Sequence, residues 1–301
     1  MRPSRLSSTG TAILKNYFAH FFALQRCKEE LTNLENSVRQ QAVAIPCKRY
    51  NFIQVFVIYK LSMTSDYLTI ILILLAGALI SVLAKKLTWL AGLTGFVTGV
   101  LIYVGAGYTG ITMLAAFFIL GTVATSWGMD KKKQKGLAEK DYGRRTTGQV
   151  IANAGVAAIM GFLAIVKPEN RTLFQLMMAA SFSSATADTL SSEMGNVFGQ
   201  RFYNILTFRK DKRGLDGVVS MEGTLWGVAG SICIAAIYTI GFGFGGNFYL
   251  IIIAGTIGNL SDSLLGATLE RKHYLNNNVV NFLNTAIAAS VVCVIYFFNK
   301  S

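Results

Sequence analysis

The sequence predicts an all-α, polytopic integral membrane bundle of about eight transmembrane helices. Three observations predict it. Of 301 residues, 52% are hydrophobic and only 14% charged. Apolar runs approaching the ~20 residues needed to cross a bilayer recur along most of the chain. The whole chain holds only 3 prolines, and none falls inside these runs. A soluble α/β enzyme of this length would carry charged helix faces between its strands, and windows such as 67–84 and 249–260 carry none.

The first 62 residues differ from the rest. They hold nine Lys/Arg, three Glu and no clear span. The apolar run from Phe52 to Tyr59 is too short to cross. Residues 1–62 therefore read either as a targeting segment or as an extension ahead of the true start at Met63. The second reading is favoured, with an integral membrane catalytic domain over 63–301.

Eight spans follow, at about 67–84, 89–105, 110–127, 148–166, 173–190, 221–242, 248–266 and 279–298. Basic residues sort between their connections. Sixteen Lys/Arg lie after the first, third, fifth and seventh spans, including Lys85, Lys86, Lys131 to Arg145, Arg201 to Arg213, Arg271 and Lys272. Only Lys167 and Arg171 lie in the others. By the positive-inside rule the basic loops face the cytoplasm. This explains the net charge of +13 without nucleic acid. The location expected is a membrane, the cell membrane in a bacterium. Cys27, Cys47, Cys233 and Cys293 have no metal or disulfide spacing, and His20 and His273 are too few for a zinc site. The glycine-rich run 241–246 falls in an outside turn and reads as a connector.

Against this apolar background the acids stand out. An ionisable residue in a span is costly and marks a functional site by default. In the fifth span Ser181, Ser184, Asp188, Ser191 and Gly195 share a helical face, with Glu193 beside it. In the seventh, Gly255, Asn259, Asp262 and Gly266 repeat the rhythm. Arg145, Gln149 and Asn153 open the fourth span at spacing four, and Asn277, Asn281 and Asn284 lie on the eighth. Gly223, Gly227 and Gly230 read as helix packing. For Asn153, Asn259 and Asn281, interhelical hydrogen bonding competes with function. Asp188 and Asp262 read as functional because no cation shares their spans. Glu222 reads as a helix-start residue. All these acids fall near the cytoplasmic ends of their helices.

Hard oxygen ligands beside cationic loops suit Mg²⁺ and phosphates. No Walker A motif is present. The loop before the sixth span alternates Arg209, Lys210, Lys212 and Arg213 with glycines, and ends in Gly217, Ser220, Gly223 and Thr224 at a helix start suited to anions.

Three segments, ATADTLSSEMG (185–195), GLDGVVSMEGT (214–224) and GNLSDSLLGA (258–267), together with Arg144, Arg145, Gln149, Val150 and Asn153, resemble the family called domain of unknown function 92. That family, also described by transmembrane protein 19, includes the plant phytyl-phosphate kinase. There is a looser likeness to phytol and dolichol kinases and CDP-diacylglycerol synthases. The resemblance covers about 67–298. It implies a membrane kinase that moves phosphate from a nucleoside triphosphate, CTP favoured, to an isoprenoid monophosphate such as phytyl, farnesyl or geranylgeranyl phosphate, with Mg²⁺. On that reading Asp188, Glu193 and Asp262 are catalytic, with Asp188 and Asp262 holding the metal. Arg145, Gln149, Asn153, Ser192, Arg209, Lys210, Lys212, Arg213, Gly217, Ser220, Gly223, Thr224, Asn259 and Ser263 bind substrate or phosphate. The rival readings are a lipid or anion transporter, a related lipid-alcohol kinase or cytidylyltransferase, and a noncatalytic assembly protein.

Overall fold

A computed structural model describes residues 52–134, 136 and 143–298. The chain divides into two compact units, Met1–Thr64 and Ser65–Ser301. The expectation for residues 1–62 lies outside the described residues, apart from the first turns of α1.

The second unit is helical. It takes in α1 (Phe52–Leu83) from Ser65 onward, followed by α2 (Trp89–Ser126), the short α3 (Met129–Gln134), α4 (Thr147–Val166) and a 3₁₀ turn (Pro168–Asn170). Then come α5 (Arg171–Phe198), a two-stranded hairpin of β1 (Tyr203–Asn204) and β2 (Val218–Val219), α6 (Met221–Phe242), α7 (Asn247–Leu265) with a π turn (Gly266–Glu270), and α8 (Asn277–Phe298). Leu68, Leu72 and Ile80 of α1 point outward, as do Ile240 and Ile253 of α6 and α7, which suits helices solvated by lipid.

Six stretches of the described residues are long and apolar enough to cross a membrane: Asp66–Leu83, Trp89–Ser126, Thr147–Val166, Met221–Phe242, Asn247–Glu270 and Asn277–Phe298. The difference from eight has two causes. First, α2 is a helical hairpin. Drawn straight, its 38 residues would hold the ends ~57 Å apart. Yet Lys86, three residues before its start, donates from Nζ to Ser126 Oγ at its end, 3.1 Å away. The chain turns back at Gly107, whose φ of 61° and ψ of −150° lie outside the helical region. The reversal strips the first limb's last carbonyls of partners. Arg171 donates to Val104 and Gly105 carbonyls at 3.2 and 3.3 Å, and Gln175 donates to Gly105 at 2.9 Å.

Second, α5 is 28 residues long but too polar to pass as apolar. It lies at the centre, packed against α2, α4, α6, α7 and α8. From Met178 to Ala187 every residue is buried, including Ser181, Ser183, Ser184 and Thr186. A helix that never meets lipid has no need of an apolar surface.

Small residues let its neighbours approach. A Cβ on Gly227 would meet Ala187 O at 3.0 Å, one on Gly230 would meet Leu190 Cδ1 at 2.9 Å, and one on Gly223 would meet Ser191 O at 2.7 Å. α2 and α4 touch in the same way through Gly105 and Gly161. Replacing Gly161 with Leu drives a side chain into the Leu101 backbone, so a loss of at least ~1–3 kcal/mol is expected. A lowered melting temperature and yield of the detergent-solubilised variant measure it.

Candidate functional site

The described basic loops gather at one end of the bundle. There the short strand pairing Leu87 with Arg145 joins the turn after α1 to the start of α4. Thr146 caps α4 and forms a capping box with Gln149. At the same end a polar cavity of about 220 Å³ opens among α4, α5, α7, α8 and the β hairpin.

Asp188 of α5 and Asp262 of α7 meet in it, their carboxyl groups within hydrogen-bonding reach of each other. The sequence placed them on facing stripes, and the close α5–α7 approach brings the stripes together. A Cβ on Gly258 would collide with Ser184, and one on Gly255 with Ser183. Asp262 is oriented from the third helix. Its Oδ1 accepts from Asn284 Nδ2 at 2.8 Å, and Asn284 Oδ1 accepts in turn from Ser184 Oγ at 3.0 Å. With its amide nitrogen turned inward, Asn281 donates to the same Asp262 oxygen at 3.1 Å and to Asn277 Oδ1 at 2.9 Å. One oxygen of Asp262 is thus saturated by amides.

Among the described residues, five carboxylates line the cavity, from Asp188, Glu193, Asp216, Asp262 and Glu270, against a single basic side chain, Arg145. Such an excess of negative charge calls for a cation. Asn153 supplies another hard oxygen. Its Nδ2 donates to Gln149 O at 2.9 Å, while its Oδ1 is buried in the cavity wall with no partner. The donor set, two carboxylates in mutual contact plus amide and hydroxyl oxygens, fits a Mg²⁺ ion that keeps its other sites for water or phosphate. Among the described residues no group of three or more His, Cys, Asp or Glu forms a closed metal cage.

Of the residues singled out from sequence, Arg145, Gln149, Asn153, Asp188, Ser192, Glu193, Gly217, Ser220, Asn259, Asp262 and Ser263 line this cavity. Six do not. Arg209, Lys210 and Lys212 are exposed on the hairpin, which carries them away from the cavity wall. Arg213 is spent on structure. It donates to the carbonyls of Asn196 and Gly199 at the end of α5 and stacks over Phe202, 4.5 Å from the ring centre. Gly223 serves the α5–α6 contact, and Thr224 donates back to Ser220 O at 3.1 Å. Ser220 also caps α6, accepting from Gly223 N at 3.1 Å.

Glu193 has a partner that span-by-span reading missed. Lys132, from α3, is buried and paired with the Glu193 carboxylate. It also donates to Ala124 O and Thr125 O at 2.9 and 3.2 Å, at the negative end of α2. Its signal was hidden in a run of solvated lysines. Asp216 and Glu270 were also missed as cavity residues. The hairpin holding Asp216 is fixed over the π turn by Arg271. That side chain donates to Asp216 O at 2.7 Å and bridges Asp211 at 2.8 Å, holding the Asp211 carboxyl below its usual pKa. Gly217, at φ 71°, lies so close to Ala267 that a side chain there would overlap it.

The family model for integral membrane protein DUF92 matches residues 72–289. The chain belongs to the DUF92 family. Among similar DUF92 relatives, Protein VTE6, chloroplastic, of Arabidopsis thaliana is 34% identical over 203 residues, 65% of this chain and 61% of the plant protein. This chain therefore spans about three-fifths of that relative's length. An uncharacterized membrane protein of Synechocystis is 36% identical over 220 residues, 71% of this chain and 84% of its own. One from Methanocaldococcus jannaschii is 34% identical over 204 residues, 66% and 82% of the two chains. No solved structure matches. The DUF92 match takes in Arg145, Asp188 and Asp262 alike.

The Lys132–Glu193 pair yields a direct test. Lys132→Met leaves a buried carboxylate unpaired and is expected to cost ~3–5 kcal/mol. The double variant Lys132→Met with Glu193→Leu removes both charges and should recover most of it. Thermal unfolding of the three proteins in detergent checks both statements.

Proposed function

We propose that this DUF92 protein is a Mg²⁺-dependent membrane kinase that transfers the γ-phosphoryl group of a nucleoside triphosphate, CTP favoured, to an isoprenoid monophosphate. The observation that carries this reading is the meeting of Asp188 and Asp262 in one acidic, polar cavity at the end of the bundle where the basic loops gather. The motif resemblance to a family that includes a phytyl-phosphate kinase supplies the substrate class. The plant relative VTE6 carries the same match over part of its length. The catalytic domain is taken as 63–301, with eight helical limbs crossing the bilayer: α1, the two limbs of α2, α4, α5, α6, α7 and α8. The cavity then faces the cytoplasm.

In the reaction an oxygen of the acceptor's phosphate forms a bond to Pγ, the bond from Pγ to the β–γ bridging oxygen breaks, and a nucleoside diphosphate leaves. The acceptor is already ionised, so no strong general base is required, and positioning with charge neutralisation dominates. Asp188 and Asp262 would hold Mg²⁺, which neutralises phosphate oxygens and the charge developing between the nucleotides' β and γ groups when bound. Asn284 and Asn281 fix the direction of the Asp262 carboxylate. Arg145 brings the cavity's own positive charge toward phosphate. Amide and hydroxyl groups of Asn153, Asn259, Ser192, Ser220 and Ser263 position oxygens, and Gly217 brings hairpin backbone over them. Glu193, neutralised by Lys132, orients the floor rather than acting on phosphate.

Transport is less well supported. Ser181, Ser183, Ser184 and Asn284, on the same helices as the two aspartates or packed against them, are fully buried.

Asp188→Asn and Asp262→Asn should each lower turnover by about 10²-fold or more while leaving the folded protein intact. The measurement offers CTP, ATP, GTP and UTP with phytyl, farnesyl and geranylgeranyl monophosphates to the purified protein, and follows diphosphate product by mass spectrometry. Chelation of Mg²⁺ should abolish product and its return should restore it. Absence of product from every pair, with and without Mg²⁺, overturns the assignment.

A further inference from the structure

A second cavity, of about 250 Å³, lies between α1 and the α2 hairpin, and its walls are almost wholly apolar. Ile73 and Gly77 of α1, Gly95 and Phe96 of the first limb, and Leu114 and Phe118 of the second are representative. Ile73 and Ile119 on its rim are half-exposed on the outside of the bundle, so the groove opens sideways toward lipid. Its inner end is different. Arg145 and Gln149 line both this groove and the acidic cavity. The Arg145 guanidinium lies over the Phe117 and Phe118 rings, 4.9 and 5.4 Å from their centres, where the two spaces adjoin.

The geometry points to this groove as the binding site for the hydrocarbon tail of the acceptor, with the tail's phosphate drawn past Arg145 into the acidic cavity. The inference rests on the phosphate-acceptor reading above and deepens it. A prenyl monophosphate has an apolar chain joined to a dianionic head. The groove and cavity offer that division in the same order, with a guanidinium at the junction and lateral access from the bilayer in which such a substrate dissolves. From Trp89 to Thr98 the first limb rises ~14 Å, enough for the beginning of a chain but not for a long one. Because the rim is open, the remainder of a longer tail stays in the bilayer. The site therefore selects for an apolar chain near the phosphate and tolerates length beyond it.

Two glycines make the groove testable without disturbing the fold. A Cβ on Gly77 or Gly95 meets nothing within 4 Å, so a larger side chain there enters open space. Gly77→Leu and Gly95→Leu fill the groove. Gly245→Leu, at an equally open position in the turn before α7, serves as control. The full chain in lipid nanodiscs is irradiated with a prenyl monophosphate bearing a diazirine on its second isoprene unit, and adducts are mapped by mass spectrometry. Adducts are expected within 73–81 and 95–118, displaced by unlabelled prenyl monophosphate but not by excess phosphatidylcholine. Labelling and affinity should fall about tenfold or more in the two groove variants, since several buried carbons are displaced, and hold in Gly245→Leu. Melting temperatures confirm that all three are folded.

Adducts elsewhere overturn the inference, as does labelling that phosphatidylcholine removes, which marks a crevice for bulk lipid only. Normal labelling and turnover in Gly77→Leu and Gly95→Leu overturn it while leaving the kinase intact. Competed labelling in the groove without product from any nucleotide upholds the tail site and removes the kinase reading instead.

Discussion

The structure depends on one constraint: a helix rich in serine, threonine and carboxylate must cross the interior of a membrane protein without meeting lipid. α5 meets it by occupying the centre, with five helices around it. Unsatisfied polar groups in hydrocarbon cost several kcal/mol each. Hydroxyls of α5 bond back to their own helix, as Thr186 does to Phe182 O at 2.7 Å, or across to neighbours, as Ser183 does to Ile251 O at 3.1 Å, with the buried Ser181 Oγ the exception among them. Glycines on α6 and α7 follow from this. Only small residues let surrounding backbones come near enough to seal the polar helix, and the same closeness sets Asp188 against Asp262.

The end of the bundle continues this logic in a different solvent. As α5 approaches its terminus, its polar residues are no longer satisfied by packing alone. Lys132 folds in to neutralise Glu193, Arg213 returns to occupy the last carbonyls, and the hairpin is laid over the opening by Arg271. The cations assigned to phosphate by their density in the sequence are thus divided. Some secure the architecture and some stay in water, leaving Arg145 as the basic side chain in the cavity wall. Among the described residues, Arg145 faces four cavity carboxylates that Lys132 does not neutralise. On the proposed reading a divalent cation would offset that charge for a triphosphate, and this would tie the two aspartates to the phosphate chemistry more directly than a cationic loop does.

Much of this was legible in the sequence because membrane proteins obey few rules. Apolar length located the helices, and the alternation of basic loops gathered the correct ends. The 3–4 spacing put Asp188 and Asp262 on facing stripes. What could not be read depended on contacts between distant segments. Lys132 looked like its neighbours until α3 turned it inward, and nothing in the spacing of Arg213 distinguishes a cap from an anion ligand. Asn284, noted as one of a polar set, gains its meaning only from lying between Ser184 and Asp262. Gly223, read as packing and as phosphate-binding at once, lies close enough to Ser191 O to account for the packing reading.

The difference between six apolar stretches and eight expected spans carries the same lesson in reverse. Apolarity measures contact with lipid, not passage through the membrane. α5 has the length to cross and fails the apolar test because other helices replace lipid around it. α2 passes the test once although its chain reverses direction at Gly107. Gly107 joins its limbs without a polar loop to mark the turn, and the carbonyls freed there are met by Arg171 and Gln175 of the very helix the bundle encloses. The hairpin is therefore anchored to α5 at its far end and through Lys86 and Ser126 at its near end. Two limbs held at both ends, with Gly77 and Gly95 carrying no side chain into the space beside α1, leave a groove beside the polar core. On the proposed reading a lipid phosphate would use both spaces, and one set of helices builds them side by side.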